Sequence, residues 1–161
     1  MILYFLRHGK AEPQTAAGDE ARQLTDAGVA ALRAAAPLWR RLNLRPDAVI
    51  SSPLARAMRT AELVCEAVGG TPIPDDRLRP GASWGDLARA MAAHAEARRV
   101  MLVGHEPDLS SAIIELTGAA SVRMRAGGMA CLEFYGTPEP GGGELAWLID
   151  PDLYTDDDQG D

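Results

Sequence analysis

A chain of 161 residues, 47% hydrophobic and 24% charged, fits one ordinary globular domain with a proper core. No apolar run comes near the ~20 residues that span a bilayer, which argues against a helical membrane protein. The net charge of −7 at pH 7 excludes the basic excess of a nucleic-acid-binding face.

Ile2–Leu6 is apolar throughout, which predicts a strand buried on both faces. The opening Met1–Leu6 is too short for a signal peptide and lacks its basic start, so a cytoplasmic location is expected. A polar stretch follows from Lys10 to Gln23. Thr25 is placed to cap a helix reaching about Asn43, with Leu24, Gly28, Ala31, Leu32, Ala35, Trp39 and Leu42 on one stripe. Asp47–Ser51 reads as a second buried strand. Ser52 then serves as cap, and Pro53 as first turn, of a helix that Gly69 and Gly70 end. Thr71–Pro80 is irregular, with a short strand near Ile73. A helix is expected from Ser83 to about Ala97, then a third buried strand at Arg99–Val103. Gly104–Asp108 turns into a further helix, with Asp108 as its cap, running to about Gly118. Val122–Arg125, Met129–Tyr135 and Glu144–Ile149 look like strands joined by Gly-rich turns.

This alternation predicts an α/β fold: a single three-layer α/β/α domain around a mostly parallel sheet, with at least one antiparallel member. The domain is expected over residues 1–151. Seven of the 23 acids lie from Glu144 onward, where there is no Lys or Arg, so the other 16 balance the 16 basic residues. Residues 152–161 are therefore read as an acidic, flexible tail.

In open sheets of this kind ligands sit outside the carboxyl ends of the strands. Arg7-His8 follows the first strand, Ser52–Arg56 the second, and Gly104-His105 the third, so two Arg and two His reach one edge. Arginine is a permanent planar fork matching phosphate oxygens. Helix N-termini after Ser52 and near Asp108 would add N–H groups aimed at an anion. Two arginines also oppose protonation of a neighbouring imidazole, which keeps His8 neutral and nucleophilic. In-line attack on phosphorus would give phospho-His8, which water then hydrolyses.

Three blocks carry a family resemblance. Leu6-Arg7-His8-Gly9 resembles the Arg-His-Gly signature of the histidine phosphatase (phosphoglycerate mutase-like) superfamily. Ser51–Ala61, containing Arg56, is similar to its second block, and Val103-Gly104-His105-Glu106-Pro107 to its third. The short chain resembles the SixA-type phosphohistidine phosphatases, a compact branch, and Leu148–Pro151 fits that branch too. The resemblance implies a phosphoglycerate mutase-like fold with His8 as nucleophile, Arg7 and Arg56 as phosphate clamps, and His105 as a second imidazole, protonated or donating. It implies no cofactor, no metal, and as partner a phosphohistidine-bearing protein or a small phosphorylated substrate. A monomer is the default.

One feature departs from that pattern. Many members carry a proton-donating Glu between the second and third blocks, and here Pro80 stands about where it would be. Asp86 is read as a surface residue, while Glu106 and Asp108 lie near the edge. An alkoxide needs a proton as it leaves, at a cost of about a hundredfold when none is delivered. An imidazole can carry its own, so the missing acid tilts the expected substrate toward phosphohistidine. A small-molecule phosphomonoesterase and a non-catalytic phospho-ligand-binding module stand as alternatives. His94, Cys65, Cys131, Trp39, Trp84 and Trp147 read as structural, and Lys10 as a charge near the site with no required role.

Overall fold

The computed structural model describes residues 1–14, 16 and 18–154. In chain order the elements are β1 (Ile2–Arg7), α1 (Asp26–Ala34), α2 (Ala36–Arg41), β2 (Ala48–Ser51), α3 (Ala55–Val68), β3 (Pro72–Pro74), α4 (Trp84–Ala92), β4 (Arg99–Gly104), α5 (Asp108–Thr117), β5 (Met129–Glu133) and β6 (Glu144–Ile149). The strands form one sheet in the order β3-β2-β4-β1-β5-β6. β3, β2, β4 and β1 run parallel, and β5 is antiparallel to both its neighbours.

Successive side chains of a strand point to opposite faces, and the apolar runs of β1, β2 and β4 use both. Leu3, Phe5, Ile50 and Leu102 enter a core shared with α4 and α5. Tyr4, Leu6, Val49, Met101 and Val103 enter a second core under α1, α2 and α3. The result is the expected α/β/α sandwich. Among the described residues no helix is long and apolar enough to cross a membrane.

Local departures from the sequence reading have identifiable causes. The single helix expected over Thr25–Asn43 is two, because Pro37 sits at the start of α2 and cannot donate a backbone hydrogen bond. Leu32, Ala35 and Trp39 still bury along the predicted stripe, whereas Ala31 is exposed. Ser52 does not cap α3. That helix begins at Ala55 behind Leu54, with no side-chain cap; the Ser52 hydroxyl accepts from the Leu54 N–H at 3.4 Å, ahead of the helix, and bonds His105 as well. Asp86 is more than a surface charge, since it closes a capping box with Ser83 at the start of α4. α4 ends at Ala92, and residues 93–96 are turn. Val122–Arg125 forms no strand. Both flanks of β1 are taken, by β4 and β5, so this segment packs Met124 into the core instead. Beyond the expected boundary at Pro151, Tyr154 is buried edge-on to Trp39 at 5.9 Å and donates to the Gly127 carbonyl at 2.7 Å. Residues 155–161 of the expected tail lie outside the described residues.

The register sets up the site. β4 lies between β2 and β1, pairing Arg7 with Gly104 and Ser51 with Val103. The residues that leave the sheet next, His8, His105 and Ser52, therefore emerge side by side.

Candidate active site

The cores of this protein exclude polar side chains almost completely. Among the described residues the buried polar or charged ones are His8, Ser51, Ser52, Arg56, Thr60, His105 and Ser110. All lie at the carboxyl ends of β1, β2 and β4 or on the helices that follow them. A cavity of about 220 Å³ opens there, lined by Arg7, His8, Asp19, Arg22, Arg56, Pro80, His105 and Glu106. A larger hollow, about 500 Å³, lies at the opposite end of the sheet around Met1, Trp84 and Tyr135. It holds none of the predicted site residues, and His94 lines it.

His8 Nδ1 lies 2.8 Å from the Gly9 carbonyl. A carbonyl only accepts, so Nδ1 carries the proton and Nε2 keeps its lone pair. Arg56 Nε donates to that Nε2 at 3.4 Å. Burial, reinforced by Arg56 and Arg7, pushes the His8 pKa down to about 4 against the pull of the Gly9 bond. The two arginines contribute as expected, but desolvation is the larger cause. The segment is pinned by the Gly9 N–H, which donates to Thr60 Oγ1 at 3.1 Å, while Thr60 Oγ1 donates to the Arg56 carbonyl at 2.8 Å. Glycine at position 9 leaves room for Leu32, whose side chain would have to shift for a Cβ there, 2.7 Å from its Cδ1.

The His105 ring faces that of His8 with centroids 5.2 Å apart. Burial first, then the neighbouring His8 and Arg56, lower its pKa to about 3. Of the two states the resemblance left open, the cationic one is thus disfavoured in the free protein, and a neutral donor fits. Its Nε2 is 2.8 Å from Ser52 Oγ. With Ser52 donating, the remaining ring proton sits on Nδ1.

Arg56 is 2% exposed, and a buried guanidinium needs a counter-charge. Asp19 supplies it: Nη2 donates to Asp19 Oδ2 at 2.7 Å and Nη1 to the Asp19 carbonyl at 2.8 Å. Arg22 holds the other carboxylate oxygen at 2.9 Å, and Arg22 and Arg56 together keep the Asp19 carboxyl below its usual range. Among the described residues, two of the five N–H bonds of Arg56 have no partner. Arg7 donates from Nη1 to the Met124 carbonyl at 2.8 Å, and its Nε is buried without a partner.

The structure therefore brings Arg7, His8, Arg56 and His105 around one cavity, together with Asp19 and Arg22, which the sequence did not single out for it; Ser52 and Thr60 bond His105 and Gly9 behind the wall. The need of a buried Arg56 for a carboxylate was foreseeable; that Asp19 would meet it was not, because the polar 10–23 stretch has no period. The Lys10 side chain is exposed and outside the cavity wall. Pro80 lines the cavity. Asp108 is not the cap of α5; its carboxylate accepts from the Gly81 and Ala82 N–H groups at 2.8 and 3.2 Å, bracing the loop that carries Pro80. Glu106 borders the cavity. Among the described residues no cluster of three or more His, Cys, Asp and Glu could hold a metal ion. Cys65 and Cys131 are buried free thiols whose pKa burial raises to about 11.

The family model described as the histidine phosphatase superfamily (branch 1) matches residues 3–99, which take in the first two sequence blocks. An uncharacterized protein of Picosynechococcus sp. is 35% identical over 113 residues, 68% of this chain and 68% of its own. The structure of the protein histidine phosphatase SixA complexed with tungstate superimposes with a TM-score of 0.84, covering 96% of this chain and 100% of that one; at 22% identity this likeness is one of fold. A candidate phosphohistidine phosphatase SixA from Nakamurella multipartitia superimposes with a TM-score of 0.80 at 26% identity, covering 93% of this chain and 95% of that one.

Proposed function

Starting from the histidine phosphatase superfamily (branch 1), to which this chain belongs, we propose that it is a phosphatase acting through a covalent phospho-His8, with phosphohistidine in a protein as its substrate. The observation that carries this is the His8 ring: neutral, with Nδ1–H tied to Gly9 and a bare Nε2 beside the Arg56 guanidinium.

The substrate phosphoryl group lies between Arg7 and Arg56, whose spare N–H bonds take its oxygens and the charge spreading over them in the transition state. His8 Nε2 attacks in line, the bond to the leaving group breaks, and Nδ1–H stays on Gly9, so phospho-His8 forms as an imidazolium. That form gives back a neutral ring when water displaces it. His105 donates to a phosphoryl oxygen. The choice of phosphohistidine over an alkyl phosphate rests on Pro80, which stands where many members of the superfamily carry a proton-donating Glu, and on the ability of a departing imidazole, unlike an alkoxide, to carry its own proton. The SixA neighbours support the same choice.

The test is phosphate release from a phosphohistidine protein, a sugar phosphate and glycerol phosphate, with His8→Ala as control. Phosphohistidine is expected to turn over at least ~100-fold faster than the alkyl phosphates. Equal rates would turn the reading toward a small-molecule phosphomonoesterase. Undiminished release by His8→Ala would end the phospho-His8 mechanism.

A further inference from the structure

Hydrolysis of a phosphoenzyme needs a group that takes a proton from the attacking water. Most of the cavity wall cannot do so. Arg7, Arg22 and Arg56 donate and have no acceptor. His8 is the leaving group of that step. His105 has Nε2 engaged with Ser52 at 2.8 Å, and its buried ring resists a proton. Asp19 has both carboxylate oxygens committed, to Arg22 at 2.9 Å and Arg56 at 2.7 Å.

Glu106 differs from all of these. It follows His105 at the end of β4 and borders the cavity. Its Oε2 accepts from Ser110 Oγ at 2.5 Å, which sets the plane of the carboxylate, while Oε1 is buried with no hydrogen-bond partner among the described residues. A buried polar atom left unpaired is destabilising and uncommon, and such atoms concentrate where chemistry uses them.

We propose that Glu106 is the general base of the second half-reaction, its Oε1 taking a proton from the water that attacks phospho-His8. This rests on the phospho-His8 reading above. The water oxygen bonds to phosphorus as the P–Nε2 bond breaks and its electron pair returns to Nε2. The O–H electron pair stays on oxygen as the proton passes to Oε1. The products are inorganic phosphate, a neutral His8 and a Glu106 carboxylic acid that loses its proton to solvent. With a phosphohistidine donor the first half-reaction makes no such demand, because the departing imidazole can carry its own proton. With that donor Glu106 acts on one step only; an alkoxide would depart from the place the water later takes and would call on Glu106 in both.

Rapid-quench measurement with radiolabelled N-phosphohistidine, counting label on protein and label released as phosphate, separates the two steps. Glu106→Gln is expected to acquire label at close to the wild-type rate but to release it about 100-fold more slowly, so labelled protein accumulates. Glu106→Asp, which keeps a carboxylate on a shorter arm, recovers part of the release. Wild-type release by Glu106→Gln overturns the proposal. So does an equal loss of labelling and release, which would make Glu106 a counter-charge for Arg7, whose charged form its carboxylate favours. If wild type itself never carries label and His8→Ala is fully active, the phospho-His8 reading falls, and this one with it.

Discussion

Acid should unfold this protein by way of its active-site imidazoles. His8 titrates near 4 in the folded chain and near 6.5 in an unfolded one. Between those values the unfolded chain binds a proton that the native state refuses. Stability is therefore complete above pH 6.5 and falls as the pH drops toward 4. For His8 alone the linkage relation puts the loss at about 2 kcal/mol by pH 5 and about 3 kcal/mol by pH 4. That is a large share of the ~5–15 kcal/mol that holds a typical domain folded. His105 acts in the same direction and adds to this loss, because at pH 5 the native state leaves both rings neutral; it is present in both proteins compared below. The assay is urea unfolding of wild type and His8→Asn at pH 7, 6, 5 and 4. Carboxylates held below their usual range, such as Asp19 and Asp86, titrate in both proteins and cancel in the comparison. Wild type should lose about 2 kcal/mol more than the variant between pH 7 and pH 5. Parallel decline of the two proteins would refute the claim that the fold holds His8 neutral.

Two further substitutions test the packing behind the site. Gly28→Ala lies inside α1, where helix propensity alone favours alanine by ~1 kcal/mol; yet the added Cβ would stand 2.2 Å from the Lys10 carbonyl oxygen. The clash should win, destabilising the protein by about 1–3 kcal/mol in a denaturant titration, whereas a stabilised variant would show that the approach of α1 to residue 10 is not tight. Ser52→Ala removes the hydroxyl on His105 Nε2, and about a tenfold fall in kcat with little change in KM is expected from the loss of an orienting hydrogen bond.

The sequence was most legible where one physical requirement leaves one kind of residue. A strand covered on both faces must be apolar throughout, so β1, β2 and β4 announced themselves, as did the α/β alternation. Gly69 and Gly118 ended their helices where expected, since each takes a positive φ. Reading failed where several partners satisfy the same need. Ser52 followed by proline looks like a helix start, but its hydroxyl takes the Leu54 N–H, ahead of the helix, and also reaches His105, which only packing could bring there. Val122–Arg125 has a strand's composition, but β1 already has β4 and β5 on its two sides, and the segment packs Met124 into the core instead. Asp108 could have capped α5; it braces the loop at Gly81 and Ala82 instead.

From the sequence alone came the layered fold, the family, and the delivery of Arg7, His8, Arg56 and His105 to one sheet edge, because strand order and the residues after each strand are local facts of the chain. Tertiary structure decided the rest. Which ring nitrogen of His8 is bare, which carboxylate answers Arg56, and which of the remaining acids stays unpaired depend on contacts between residues up to 48 positions apart. Those choices are settled by distance and burial, and neither is written in the order of residues.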